Sequence, residues 1–285
     1  ELELMKSFAV QASVSIENAF LVKSMVEQER LKQELELGRE IQMALLPKES
    51  PQISNLSISG LMLPAKEIGG DYYDFITLPK EDELGIVIGD VSGKGVAAGL
   101  LMAMAKTAIH TLSQETNSPR EVLLKTNSIL YQHIGGQKFM TMLYFKYKAK
   151  DRTLSYSSAG HEHILVYRAN KGPATTGKTT THGQVESIIS GGFMLGMLPD
   201  IDTYLEDHSI NLFPHDKVLL YTDGVTEAEN PQGERFGLER LKESFKANNN
   251  KSPEELIQAI KTEVYQFIGT QPQYDDITLV GMEAG

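Results

Sequence analysis

Four stretches of this chain place carboxylates in settings where an ionised acid needs a partner. Residues 69–75, Gly-Gly-Asp-Tyr-Tyr-Asp-Phe, set Asp71 behind two glycines and Asp74 before an apolar residue. Residues 88–95, Ile-Gly-Asp-Val-Ser-Gly-Lys-Gly, end an apolar run in Asp90 and follow it with a glycine-rich turn. Residues 219–224 repeat the design, with Leu-Leu-Tyr-Thr leading into Asp223-Gly224. At residues 274–280, Asp275 and Asp276 open a final apolar run. An acid at the end of a buried strand is partly desolvated, so its ionised form is unfavourable unless a cation or metal lies beside it. Few basic residues stand near these acids in sequence, Lys94 and Arg235 being the exceptions. A hard divalent cation is the natural partner, because Mg²⁺ and Mn²⁺ take carboxylate, carbonyl and water oxygens. Two ions bridged by one carboxylate would activate a water and clamp phosphoryl oxygens. Any one Asp-Gly is ordinarily a turn, and Asp275-Asp276 alone could be a turn or a helix flank. The four together point to a metal site.

Other groups carry less chemistry. The chain has no cysteine, which removes disulfides, thiolate metal sites and a cysteinyl-phosphate route together. Residues 89–95 superficially suggest a phosphate-binding P-loop, but the spacing is one residue short and Gly95 stands where Ser or Thr should be. His161 and His163, two apart on an expected strand, read as structural histidines before metal ligands. Lys66 and Lys94 are minor candidates for touching phosphate. Tyr72, Tyr73 and the Met102–Met104 stretch read as packing.

These acids need a scaffold, and the chain is long enough for one. Its 285 residues and 41% hydrophobic content suit a large globular domain with an extra segment. The net charge of -11 argues against a nucleic-acid surface. No apolar run approaches the roughly 18 residues of a membrane span, and no signal peptide is present, so the reading is a cytoplasmic protein with no membrane insertion. A start at Glu1 reads as part of something longer.

Met5, Ala9, Ala12, Ile16, Ala19, Val22 and Val26 recur at helical spacing, and residues 27–40 are rich in helix formers. A helix of this length predicts two helices or a coiled coil, or else a helix packed on its own domain; Gly38 is a candidate flexible point. Beyond Pro47 to Pro51 the pattern alternates. Strands are expected near residues 56–63, 84–88, 139–147, 153–158, 164–167, 193–198, 204–212, 218–222 and 277–282. Helices are expected over 95–112, from Ser118-Pro119 to about Ile134, and over 236–245 and 253–268. Residues 171–184 read as an exposed Gly/Thr/Lys loop. This order predicts an α+β architecture.

At the acidic motifs the sequence resembles the SpoIIE-like branch of the metal-dependent (type 2C, PPM) serine/threonine protein phosphatases. The matching stretches, in family order, are GGDYYDF at 69–75, GDVSGKGVAAGLLMA at 89–103, SSAGH at 157–161, LGMLPD at 195–200, YTDGVTEAENPQGERFG at 221–237 and DDITLV at 275–280. The resemblance covers residue 41 to the end. Residues 34–47 resemble the linker before such domains, and residues 5–21 the last helix of a GAF-type sensor domain.

The resemblance implies an α-β-β-α sandwich of two antiparallel sheets flanked by helices, with the long N-terminal helix as an extension. It divides the chain into a helical linker and dimerisation segment over residues 1–46 and a phosphatase domain over 47–285. It implies two Mn²⁺ or Mg²⁺ ions, with Asp90 as the ligand bridging both, the Val91 carbonyl beside it, and Asp71, Asp223 and Asp275 as further ligands. Asp276 is a further candidate ligand, and Asp74 a supporting or substrate-facing residue. The chain departs from eukaryotic relatives at Ser92, where they carry a histidine thought to act as general acid, and at Glu162-His163, where relatives usually have prolines. The function implied is hydrolysis of phosphoserine or phosphothreonine on a regulatory protein, a STAS-domain anti-sigma antagonist in a partner-switching pathway, by a homodimer joined through the N-terminal helix. The alternatives are a pseudophosphatase that binds phosphoprotein without turnover, which retention of the core acids disfavours, and hydrolysis of a small phosphoester.

Overall fold

A computed structural model describes residues 2–169 and 183–285. The chain opens with one continuous helix, α1 (Leu2–Leu45). The two-helix expectation is therefore not met, and Gly38 does not break the helix. A Cβ there would come within 2.9 Å of the Ile68 side chain, so glycine serves close packing between α1 and the loop before Asp71.

Among the described residues ten strands follow: β1 (Leu56–Leu63), β2 (Tyr72–Thr77), β3 (Glu83–Val91), β4 (Met140–Lys148), β5 (Thr153–Ala159), β6 (Ile164–Tyr167), β7 (Val185–Ile188), β8 (His208–Asn211), β9 (Lys217–Tyr221) and β10 (Ile277–Ala284). They form two five-stranded sheets, in the orders β1-β10-β9-β6-β7 and β2-β3-β4-β5-β8, with antiparallel neighbours throughout. The remaining helices are α2 (Val96–Glu115), α3 (Pro119–Ile134), the single turn α4 (Asp223–Thr226), α5 (Gly237–Ala247) and α6 (Pro253–Ile268). Helices α2 and α3 cover the second sheet, and α5 and α6 cover the first. The result is the expected α-β-β-α sandwich.

Period-two alternation explains the layering. On β9, Val218 and Leu220 join the core between the sheets, while Leu219 and Tyr221 pack under α5 and α6. The helix starts follow their capping residues: the Ser118 hydroxyl accepts the Glu121 N–H, and Ser252 forms a reciprocal capping box with Glu255. Among the described residues, α2 alone is long and apolar enough to cross a membrane. It lies on the second sheet as a core helix, with Leu101, Met102, Ala105 and Ile109 buried.

Three expectations differ from the structure. Residues 72–77, read as acids and packing tyrosines, form β2; nearly every position is buried, so no alternation marks it. The expected strand at 193–198 is a loop whose ladder contact is a single bridge between Leu195 and Met140. The expected strand at 204–212 begins at the last residue of a 3₁₀ turn, Asp202–Tyr204, and only its His208–Asn211 portion forms a strand, the short β8. The predicted loop at 171–184 lies almost wholly outside the described residues.

Candidate metal centre

The strand order brings the four acidic motifs to one end of the sandwich. Asp71 immediately precedes β2, and Tyr72 pairs with Gly89, so Asp71 comes opposite Asp90 near the end of β3. Asp223 opens α4 directly after β9, and Asp275 lies just ahead of β10, the neighbour of β9. One sheet thus supplies Asp71 and Asp90, and the other supplies Asp223 and Asp275.

Asp71 ties the two sheets together. Its Oδ2 accepts hydrogen bonds from the hydroxyls of Thr222 at 2.7 Å and Thr278 at 2.5 Å. The Thr222 hydroxyl in turn accepts the Thr278 N–H at 3.0 Å. Asp71 is buried, and burial together with the charge of Asp90 pushes its pKa well above the ordinary carboxylate value.

The remaining acids press on one another. Burial, then the charges of Asp223 and Asp275, raise Asp90 to about 7. Burial, then the charge of Asp275, raise Asp223 to about 6. Like charges sharing a desolvated site produce this pattern. Asp275 makes an ion pair with Lys94 at 3.0 Å.

The glycines shape the space between these groups. A Cβ on Gly70 would lie 2.8 Å from the Val91 carbonyl oxygen and 3.4 Å from Asp90 Oδ1. Carbonyl and carboxylate therefore border one small volume, kept open because residue 70 lacks a side chain. In the turn after β3, Gly93 and Gly95 take φ values of 81° and 87°, a region that strongly favours glycine.

An oxygen-only donor set with mutually raised carboxylate pKa values fits hard divalent cations. The oxygens available for such ions here are those of Asp90, the Val91 carbonyl, Asp223 and Asp275. Among the described residues, no three acidic or imidazole side chains close tightly around a single point.

The structure separates two acids from this group. Asp276 spends both oxygens on backbone: Oδ1 accepts the Ala65 N–H at 2.7 Å, and Oδ2 accepts those of Gly70 at 2.6 Å and Asp71 at 3.4 Å. It clamps the loop that carries Asp71. Asp74 faces α2 instead. Its Oδ2 meets the Tyr72 hydroxyl at 2.8 Å, His110 Nε2 at 2.7 Å and the Lys106 ammonium.

His161 is buried beside Thr141, whose hydroxyl lies 2.9 Å from Nδ1. Burial lowers its pKa to about 3, with the Tyr221 backbone the weaker opposing influence, so it stays neutral. His163 Nδ1 contacts the Ser187 hydroxyl at 3.0 Å. Ser92 is held by the Phe139 backbone, with its hydroxyl accepting the Phe139 N–H at 3.0 Å. Sequence reasoning missed Thr222 and Thr278, although both lie inside quoted motifs, and missed Gln42, Lys106 and His110, which carry no local signal.

Comparison with known proteins decides the family. The family described as Stage II sporulation protein E (SpoIIE) matches residues 80–284. This chain belongs to the SpoIIE family. It is a PP2C-type serine/threonine phosphatase domain, and that family is metal-dependent. The chain is 32% identical over 255 residues to the phosphoserine phosphatase RsbU of Bacillus subtilis (strain 168), covering 89% of this chain and 70% of RsbU. It is 31% identical over 276 residues to protein IcfG of Synechocystis sp., covering 87% of this chain but 41% of IcfG. The solved PP2C domain of SiaA from Pseudomonas aeruginosa superposes with a TM-score of 0.75 at 20% identity, covering 91% of this chain and 98% of that one. The SpoIIE-type sandwich seen here is thus shared well beyond sequence likeness.

Proposed function

We propose that this chain removes phosphate from phosphoserine or phosphothreonine on a cytoplasmic regulatory protein of the STAS-domain type. The observation that carries the reading is the convergence of Asp71, Asp90, Asp223 and Asp275 from two sheets at one end of the sandwich, where burial and mutual repulsion raise the pKa values of Asp71, Asp90 and Asp223. Similarity to RsbU, a phosphoserine phosphatase, supports the reaction class.

Asp90 and the Val91 carbonyl from one sheet, with Asp223 and Asp275 from the other, would hold the ions. Asp71 lies near enough to Asp90 to feel its charge and is itself fixed by Thr222 and Thr278. Two Mn²⁺ or Mg²⁺ ions, when bound, supply Lewis acidity toward water and the phosphoryl oxygens. Ser92 is engaged with backbone and His161 is buried and neutral, so neither is placed to protonate the leaving serine oxygen.

Residues 1–46 are the linker and dimerisation segment, and residues 47–285 the phosphatase domain. Along α1, apolar side chains such as Leu4 and Phe20 are 65% and 70% exposed. A stripe at three- and four-residue steps that packs on nothing among the described residues suits a coiled coil with a second copy.

The test is phosphate release from a phosphoserine protein with and without Mn²⁺, in wild type and in Asp90→Ala and Asp223→Ala. Release that needs the metal and disappears in both folded variants supports the reading. Metal-independent release, or unaltered release in either variant, overturns it. Manganese binding without release would favour the phosphoprotein-binding alternative.

A further inference from the structure

The segment that runs from Asp90 to Gly95 carries a cation as well as metal-holding oxygens. Lys94 lies between Gly93 and Gly95, both with positive φ. From there its ammonium crosses to the other sheet, where it lies 3.0 Å from Asp275 Oδ1 and donates to the Tyr274 carbonyl. Its side chain is 23% exposed and that of Asp275 is 39% exposed. A second lysine borders the same turn, but Lys138 donates to the Ser92 carbonyl at 2.8 Å and not to a carboxylate. The two ammonium groups therefore do different things beside one acidic cluster. Lys94 sits on the acid whose charge bears on both Asp90 and Asp223.

We infer that Lys94 is an internal counter-cation of Asp275, which a divalent ion must displace to bind there. The inference rests on the reading of Asp275 as a metal ligand. The ammonium holds one oxygen of that ligand and partly neutralises the cluster. Loading then requires the Lys94 side chain to leave, and the two flanking glycines permit the turn to let it go. Because the pair is partly exposed, the competition is modest and the site remains loadable.

The test is Mn²⁺ affinity of the whole chain, measured by calorimetry on folded wild type, Lys94→Gln, Lys94→Arg, Lys138→Gln and Asp275→Asn. Lys94→Gln keeps a donor for the Tyr274 carbonyl and removes the charge, so a purely structural role would leave affinity unchanged. The inference expects Lys94→Gln to tighten Mn²⁺ binding roughly fivefold, with Lys94→Arg close to wild type and Lys138→Gln changing far less. It also expects the Lys94→Gln gain to vanish in combination with Asp275→Asn. Unchanged or weaker binding in Lys94→Gln, or an equal gain in Lys138→Gln, overturns it. Wild-type affinity in Asp275→Asn alone would instead remove Asp275 from the ligand set, and with it the reading beneath the inference.

Discussion

The side-chain amide of Gln42 pairs with both backbone groups of Gly69: Nε2 donates to the carbonyl at 2.7 Å and Oε1 accepts the N–H at 3.0 Å. Gln42 is buried, and it joins the end of α1 to the loop whose next residues are Gly70 and Asp71. The Gly70 carbonyl in turn accepts the Val91 N–H at 3.3 Å. Gln42→Ala leaves two buried backbone groups unpaired. It is expected to lower stability by about 1–3 kcal/mol and to weaken Mn²⁺ binding. Urea melts in EDTA and a manganese titration check both. Unaltered affinity would show that the loop holds its shape without α1.

Asp276 and Asp90 lie close together and have opposite roles, so their variants should separate. Asp276→Ala removes the acceptor for three backbone N–H groups and should cost about 3 kcal/mol, metal or no metal. Asp90→Asn removes a charge that its neighbours repel. In EDTA at pH 8 it should melt at or above the wild-type temperature, while manganese-dependent turnover falls at least about a hundredfold. A large stability loss in Asp90→Asn would contradict the repulsion seen among the acids.

Stability in EDTA should fall as pH rises. Asp90 at about 7 and Asp223 at about 6 retain protons in the folded chain that the unfolded chain has lost above its ordinary carboxylate value of 3.8. Unfolding therefore releases protons across this window, and stability decreases from about pH 4 through pH 7. Asp74 acts in the other direction. Burial raises it, but bonds from His110, Lys106 and Tyr72 prevail and lower its pKa. Its contribution is present above the ordinary carboxylate value and is lost as pH falls through the lowered one. Melting temperatures against pH, with EDTA and then with saturating Mn²⁺, check this. The decline above pH 5 should be largely removed by the metal.

Deleting residues 1–40 removes the exposed apolar stripe of α1 while keeping Gln42. Light scattering is expected to report a dimer for the whole chain and a monomer for the shortened one, with the folded domain's melting temperature retained. A monomer in both cases would leave the stripe to another partner.

Some of this was legible in the residues. Acids at the ends of apolar runs marked Asp90, Asp223 and Asp275, because a strand must be apolar to be buried and a buried strand's end must change composition. The capped starts of α3 and α6 were visible for a similar reason, since the Ser that closes a helix lies beside it in sequence. β2 escaped because a strand buried on both faces shows no alternation. The apolar run at 193–198 reads as a strand and folds as a loop, because apolarity records burial and not the presence of a ladder partner.

Which acid does what was decided only by the tertiary structure. Asp275 and Asp276 are neighbours in the chain, yet one meets Lys94 and the other takes the N–H groups of Ala65, Gly70 and Asp71. Asp71 and Asp74 belong to one motif, yet one ties the two sheets through Thr222 and Thr278 and the other receives Lys106 and His110 from α2. The sequence by itself determined that these carboxylates would be partly desolvated and in need of partners. It left the partners unspecified, because most come from segments distant in the chain, and a carboxylate's role follows from whichever donor or charge the fold brings within hydrogen-bonding distance.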